Sequence, residues 1–305
     1  MKVQIKNIVC TTDFSDLSNQ AVPFGVALAR EYDAKLYLCH VMDMTSTSIY
    51  GAAYIDMEDL RQRTADYALE EFERLVGDAQ VDWEPLITVG HVADEIARMA
   101  KERCADLVVS CTHGPSGLKR FVLGSVAERL LRTLPCPLLS IHGTEKHLVD
   151  PEKQVMRFRK ILVGCDFSSD SNLAFQYALS LAQEFQSELH LAHAIAPPVY
   201  RHLFQTGAET DDERRHDLRD RLNASLTNMI PDEVRNWCTP STILLAGSPH
   251  EELIKYAMIH HIELIVLGVR GHGLTETLLV GSTTDRVIRK APCPVLSVRP
   301  MVQVV

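Results

Sequence analysis

The sequence predicts an α/β protein built as two tandem, doubly wound, open parallel sheets of five strands each, and three observations carry that prediction. The chain repeats itself. Within each copy, short apolar runs alternate with stretches of helical periodicity. Those runs are nearly continuous in apolar character rather than alternating, as strands covered on both faces must be.

The repeat comes first. "KNIVCTTDFSDLSNQAVPFGVALAREYDAKLYLCHVM" from Lys6 aligns with "KILVGCDFSSDSNLAFQYALSLAQEFQSELHLAHAI" from Lys160, placing Asp13 on Asp166 and His40 on His193, each pair 153 residues apart. Further on, Gly90 falls on Gly247, Gly124 on Gly281 and Cys136 on Cys293, now 157 apart, so the second copy has gained four residues between His193 and Gly247. Residues 1–143 make a first domain and 158–305 a second. The stretch 144–157, most of it in the charged segment "GTEKHLVDPEKQ" from Gly143, reads as a linker.

In the second copy the strands are "KILVGC", "ELHLAHAI", "PSTILLA", "ELIVLG" and "PVLSV". Between them, "NLAFQYALSLAQEF" carries Leu173, Tyr177 and Leu181 at helical spacing, and "HEELIKYAMIHH" carries Leu253, Tyr256 and Ala257. Right-handed crossovers then give a parallel sheet, which binds ligands at the carboxyl ends of its strands where the strand order reverses. Asp166 ends the first strand and Gly268 and Gly271 follow the fourth, so the walls of one crevice carry them.

The segment "GVRGHGLTETLLVGSTTDR" is the most informative stretch. Gly268 and Gly271 remove Cβ atoms where a ligand or another backbone must come close. Gly281, Ser282 and Thr283 open a helix whose first N–H groups lack intrahelical partners, an arrangement that favours phosphate. A helix N-terminus contributes only about 0.3–1 kcal/mol through its dipole, so several donors must act together. Arg270 is the obvious cation in the loop. Asp166 is open to two readings: a turn-forming cap in "DFSSDSN", or an acceptor for an amine or a ribose hydroxyl.

The G-x2-G-x9-G-S pattern at Gly268, Gly271, Gly281 and Ser282, preceded by "IELIVLG" and closed by "APCPVLSV", resembles the universal stress protein family. The resemblance extends through both copies, loosely over 43–80 and 195–240. It implies a Rossmann-like sheet of order 3-2-1-4-5, cytoplasmic location, and ATP, with magnesium, as the ligand. It places Asp166 beside base or ribose, a backbone contact at Ala194, and Gly268, Arg270, Gly271, Gly281, Ser282 and Thr283 around ribose and phosphates. By the same analogy the last strands, each preceded by a proline pair, are edges that join the domains as a pseudo-dimer or join two chains as a homodimer.

The first copy departs from the pattern. Its matching positions are Asp13, Val41, Cys111, His113, Gly114, Gly124 and Ser125, with a cysteine where the first glycine belongs. Lys119 and Arg120 add positive charge nearby. This site is expected to be weak or altered.

Composition narrows the classes. A net charge of −9 argues against nucleic acid and anionic membranes as partners, and no run approaches the roughly 20 apolar residues of a membrane span. Eight cysteines without a C-x-x-C read as reduced thiols, most of them buried, and thirteen histidines lack a matched ligand set for a metal. No Walker G-x-x-x-x-G-K-[ST] occurs, and no acid/base pair stands out around the glycines. A nucleotide-binding sensor or adaptor is therefore expected ahead of a slow ATPase. A carrier of a lipid or metabolite, lidded by segments holding Tyr50, Tyr54, Tyr200 and Phe204, is the alternative from another class.

Overall fold

The computed structural model describes residues 3–43, 57–112, 123–143, 148–150, 155–196, 210–271 and 280–300. The chain divides between Arg157 and Phe158 into two compact units. Val3 belongs with the second, its N–H donating to Ser180 Oγ at 3.0 Å.

The first unit runs β1 (Asn7–Thr11), α1 (Ala21–Tyr32), β2 (Lys35–Met42), α2 (Met57–Val76), β3 (Trp83–Val89), α3 (Val92–Glu102), β4 (Leu107–Cys111), α4 (Ser125–Thr133) and β5 (Leu138–Ile141). All four strand pairings are parallel: β1 with β2 and β4, β2 with β3, and β4 with β5. The order is thus 3-2-1-4-5, reversing between β1 and β4. Ile8 and Val9 are fully buried, which is why the strands read as continuous apolar runs.

After β5, the stretch read as a linker contains a short antiparallel pair, β6 (Val149–Asp150) with β7 (Val155–Met156). Leu148, Val149 and Met156 are buried. Three apolar side chains inside a charged stretch give it something to fold onto.

The second unit runs β8 (Lys160–Gly164), α5 (Ser169–Phe185), β9 (Glu188–Ile195), α6 (Thr210–Met229), β10 (Pro240–Ala246), α7 (Pro249–His260), β11 (Leu264–Gly268), α8 (Ser282–Lys290) and β12 (Val295–Val298). Its pairings repeat the same parallel order, β8 flanked by β9 and β11. Fully burying one core leucine, isoleucine or valine contributes about 1.5–3 kcal/mol, and both units hold many. Helix ends match as well: α1 stops at Asp33 and α5 at Gln186, both left-handed, with φ of 50° and 53°.

Two differences separate the copies. The connection from α6 to β10 is four residues longer than that from α2 to β3 and holds a 3-10 turn at Asp232–Asn236. The residues gained between His193 and Gly247 therefore lie at the amino end of the third strand, away from the carboxyl ends. The other difference is the start of the first helix. In the second unit α5 begins at Ser169, whereas α1 begins only at Ala21, preceded by a 3-10 turn at Ser18–Gln20.

No helix among the described residues is long and apolar enough to cross a membrane.

Candidate functional site

The site begins where β8 ends. Cys165 N donates to Ala192 O at 2.8 Å, extending the pairing with β9 by one residue. The chain then turns sharply, because Phe167 takes a left-handed φ of 63°. A non-glycine residue there costs about 1–2 kcal/mol, offset by local bonds. Ser168 N donates to Asp166 Oδ1 at 3.0 Å, and Ser171 N donates to Ser168 Oγ at 3.2 Å, capping α5. The Phe167 ring lies against His193, centroids 4.9 Å apart, and His193 Nδ1 donates to Cys165 O at 2.8 Å. His193 is therefore a clamp that ties the end of β9 to the turn after β8. The first unit repeats the device with Phe14, His40 and Thr12 O.

The opposite wall follows β11. A Cβ on Gly268 would stand 2.7 Å from the Asp170 carbonyl carbon, and one on Gly271 would stand 2.6 Å from Asp166 Oδ2. Gly268 is required by close packing against backbone, whereas at Gly271 the neighbour is the end of the Asp166 side chain, which can shift. Gly281 N donates to Val269 O at 2.8 Å and Thr284 Oγ1 donates to Gly268 O at 2.7 Å, anchoring the start of α8 to the end of β11. Gly281 is the N-cap of α8 and makes no side-chain cap, so the first N–H groups of the helix are left to solvent or a ligand.

Between these walls lies a cavity of about 660 Å³, within the span usual for small-molecule sites. Asp166, Ala194, Gly268, Arg270, Gly271, Gly281, Ser282 and Thr283 all line it, so the structure brings together every residue singled out for the second domain. Ala192, Pro249, Leu253 and Leu267 supply apolar lining.

Arg270 is placed differently from a free loop cation. Its Nε and backbone N donate to Asp170 Oδ2 at 3.0 and 3.2 Å, and Nη2 donates to Oδ1 at 3.1 Å. The Asp170 side chain is only 3% exposed. Hydrogen bonding to this carboxylate holds the Arg270 pKa above its ordinary value. Asp170 escaped the sequence reading because "SSDS" offers four interchangeable capping groups. The repeat carried the missing signal: Asp170, Gly268 and Arg270 align with Leu17, Cys111 and His113, three positions that change together.

In the first unit, Asp13 Oδ1 accepts Ser15 N at 2.9 Å, Val41 lies near the end of β2, and Gly124 caps α4 ahead of Ser125. Cys111 ends β4, and its Sγ donates to Leu17 O at 2.9 Å. In the repeat alignment Leu17 is the counterpart of Asp170, so this sulfur lies against the residue whose counterpart packs on Gly268, and α1 starts later than α5. His113, Gly114, Lys119 and Arg120 lie outside the described residues, as do Tyr50, Tyr54, Tyr200 and Phe204.

None of the eight cysteines is in a disulfide; six are buried, with Cys104 exposed and Cys111 half-buried. Among the described residues no cluster of three or more His, Cys, Asp or Glu is placed to hold a metal ion.

Known proteins match this architecture twice over. The model of the universal stress protein family matches residues 4–142 and again 157–299. A universal stress protein of Mycolicibacterium smegmatis is 26% identical over 302 residues, covering 96% of this chain and 97% of its own. One from Methanocaldococcus jannaschii is 32% identical over 143 residues, 46% of this chain and 84% of its own. The crystal structure of a universal stress protein from Archaeoglobus fulgidus superposes with a TM-score of 0.69 at 21% identity, covering 98% of this chain and all of that one.

Proposed function

The chain belongs to the universal stress protein family, with two tandem family domains, and from that premise we propose that its second domain binds ATP with magnesium as a sensor or adaptor in the cytoplasm rather than as a fast catalyst. The observation that carries this reading is the convergence of three glycines and the uncapped start of α8 on one cavity at the point where strand order reverses. In this reading Asp166 would bond a base amine or a ribose hydroxyl, and the backbone at Ala194, which also lines the cavity, would contact the base. Ser282 and Thr283, with the N–H groups they carry, would hold phosphate oxygens, and Gly268 and Gly271 let the ligand approach the backbone. Arg270 contributes by holding the loop in place through Asp170. Magnesium would supply charge neutralisation on the phosphates.

Two features favour binding over turnover. Asp166 is the sole carboxylate among the described cavity residues, and its Oδ1 is already held by Ser168 N. His193 directs Nδ1 to a carbonyl and serves the fold. A binder of this kind acts by preferring one conformation, and shifts an equilibrium only by its differential affinity for the two states.

Calorimetric titration of ligand-stripped protein with ATP and magnesium tests the reading. One site per chain is expected, lost in Gly281→Val while the protein stays folded. No heat from the unsubstituted protein, or binding retained in Gly281→Val, overturns it.

A further inference from the structure

The charge of the crevice decides which ligand it rewards. Its described wall carries one carboxylate, Asp166, and one guanidinium, Arg270. Behind the wall, Asp170 takes three donors from Arg270, two of them in a fork that matches guanidinium to carboxylate. With the aspartate 3% exposed and the arginine 24%, the pair sits largely out of water, where neither charge is screened from the other. The pair retains N–H donors and has no net charge. Among the described residues that line the cavity there is no other lysine or arginine.

We propose that Asp170 sets the ligand class of the second domain: by neutralising Arg270 it makes the crevice select a nucleoside carrying little uncompensated phosphate charge, a monophosphate or a metal-neutralised polyphosphate. The inference rests on nucleotide binding by this domain and adds the determinant of phosphate number. Affinity then comes from the base, the ribose and the first phosphate on the start of α8. Each further phosphate adds charge that no further cation among the described lining residues meets.

The repeat supplies an internal contrast. The first copy has Leu17 in place of Asp170 and carries Lys119 and Arg120 in the corresponding loop. The acid is a feature of the second copy alone, and it arrives together with the glycine that makes room for its backbone.

The experiment is a titration series with adenosine, AMP, ADP and ATP, first in a chelator and then with magnesium. Without metal, affinity should stay level or fall from AMP to ATP, and magnesium should raise ATP affinity at least about fivefold. Asp170→Asn should raise metal-free ATP affinity about tenfold while moving adenosine less than about threefold. The proposal is overturned if metal-free ATP binds the unsubstituted protein about tenfold or more tightly than AMP, or if a folded Asp170→Asn variant binds metal-free ATP no more tightly than the unsubstituted protein. Because the first criterion needs no substitution, a misfolded variant does not rescue the idea. If none of the four ligands binds, nucleotide binding itself fails and this inference with it; a rising series fails this inference alone.

Discussion

Gly268 and Asp170 are packed backbone to backbone: a single added carbon on the glycine would lie 2.7 and 2.9 Å from the carbonyl carbon and oxygen of the aspartate. The first turn of α5 exists in its present position because that carbon is missing. Where Cys111 replaces the glycine, the corresponding turn is given up for a 3-10 segment and the helix starts at Ala21.

Gly268→Cys should therefore push the start of α5 away and convert the second crevice toward the first. The neighbouring atoms belong to backbone, so the strain is not relieved by a rotamer change. A loss of about 1–3 kcal/mol is expected, as for other overpacked interiors, together with loss of nucleotide binding. Urea unfolding and titration of the variant measure the two effects. Unchanged stability would show that the contact is loose and that the late start of α1 has another cause.

Stability should fall as the solution becomes mildly acidic. His40, His190 and His250 all have pKa values below the ordinary 6.5, with burial as the largest cause in each. For a depressed histidine the unfolded chain binds the proton more readily than the folded one. The contribution is fully present above pH 6.5 and is lost as pH falls from there toward the lower folded values. The carboxylates of Glu71, Glu84 and Glu95, depressed chiefly by hydrogen bonds to Arg74, Lys35 and Arg98, act in a separate window below 4.5. Thermal melts between about pH 8 and about pH 5 should show a falling midpoint, less steeply in His190→Gln. A midpoint that holds level or climbs on acidification would contradict the assignment.

Thiol chemistry should single out one cysteine. Cys104 is exposed, while burial raises the Cys10 thiol well above its ordinary 9.0 and pushes Cys39 up to about 12. Since the thiolate is the reactive form, a disulfide reagent should modify one thiol quickly in the native protein, and Cys104→Ser should remove that phase. Cys111, with Sγ engaged on Leu17 O, should follow slowly. Two or more fast thiols would mean that the buried set opens readily.

Much of this was legible in the sequence because it depends on spacing. The strand order within each unit, the repeat and the eight crevice residues follow from apolar runs, glycine intervals and resemblance. What escaped depends on backbone conformation and on pairs distant in sequence. Phe14 and Phe167 give no sign of their left-handed φ, since glycine or asparagine is the usual occupant. The partnership of Asp170 with Arg270 spans 100 residues and is hidden by capping serines. The β6–β7 pair, in which Val149 and Met156 are buried, was hidden by the charges around it.

The phenylalanine that leans on a histidine in each domain has a spectroscopic use. A histidine beside an aromatic ring has its imidazole protons displaced by the ring current, so His40 and His193 should each give a resolved, shifted nuclear magnetic resonance signal. His193 borders the cavity, and His40 occupies the equivalent position in the other domain. One spectrum of the intact chain would thus register occupancy in either half without a label, and would show which half responds first as ligand is added.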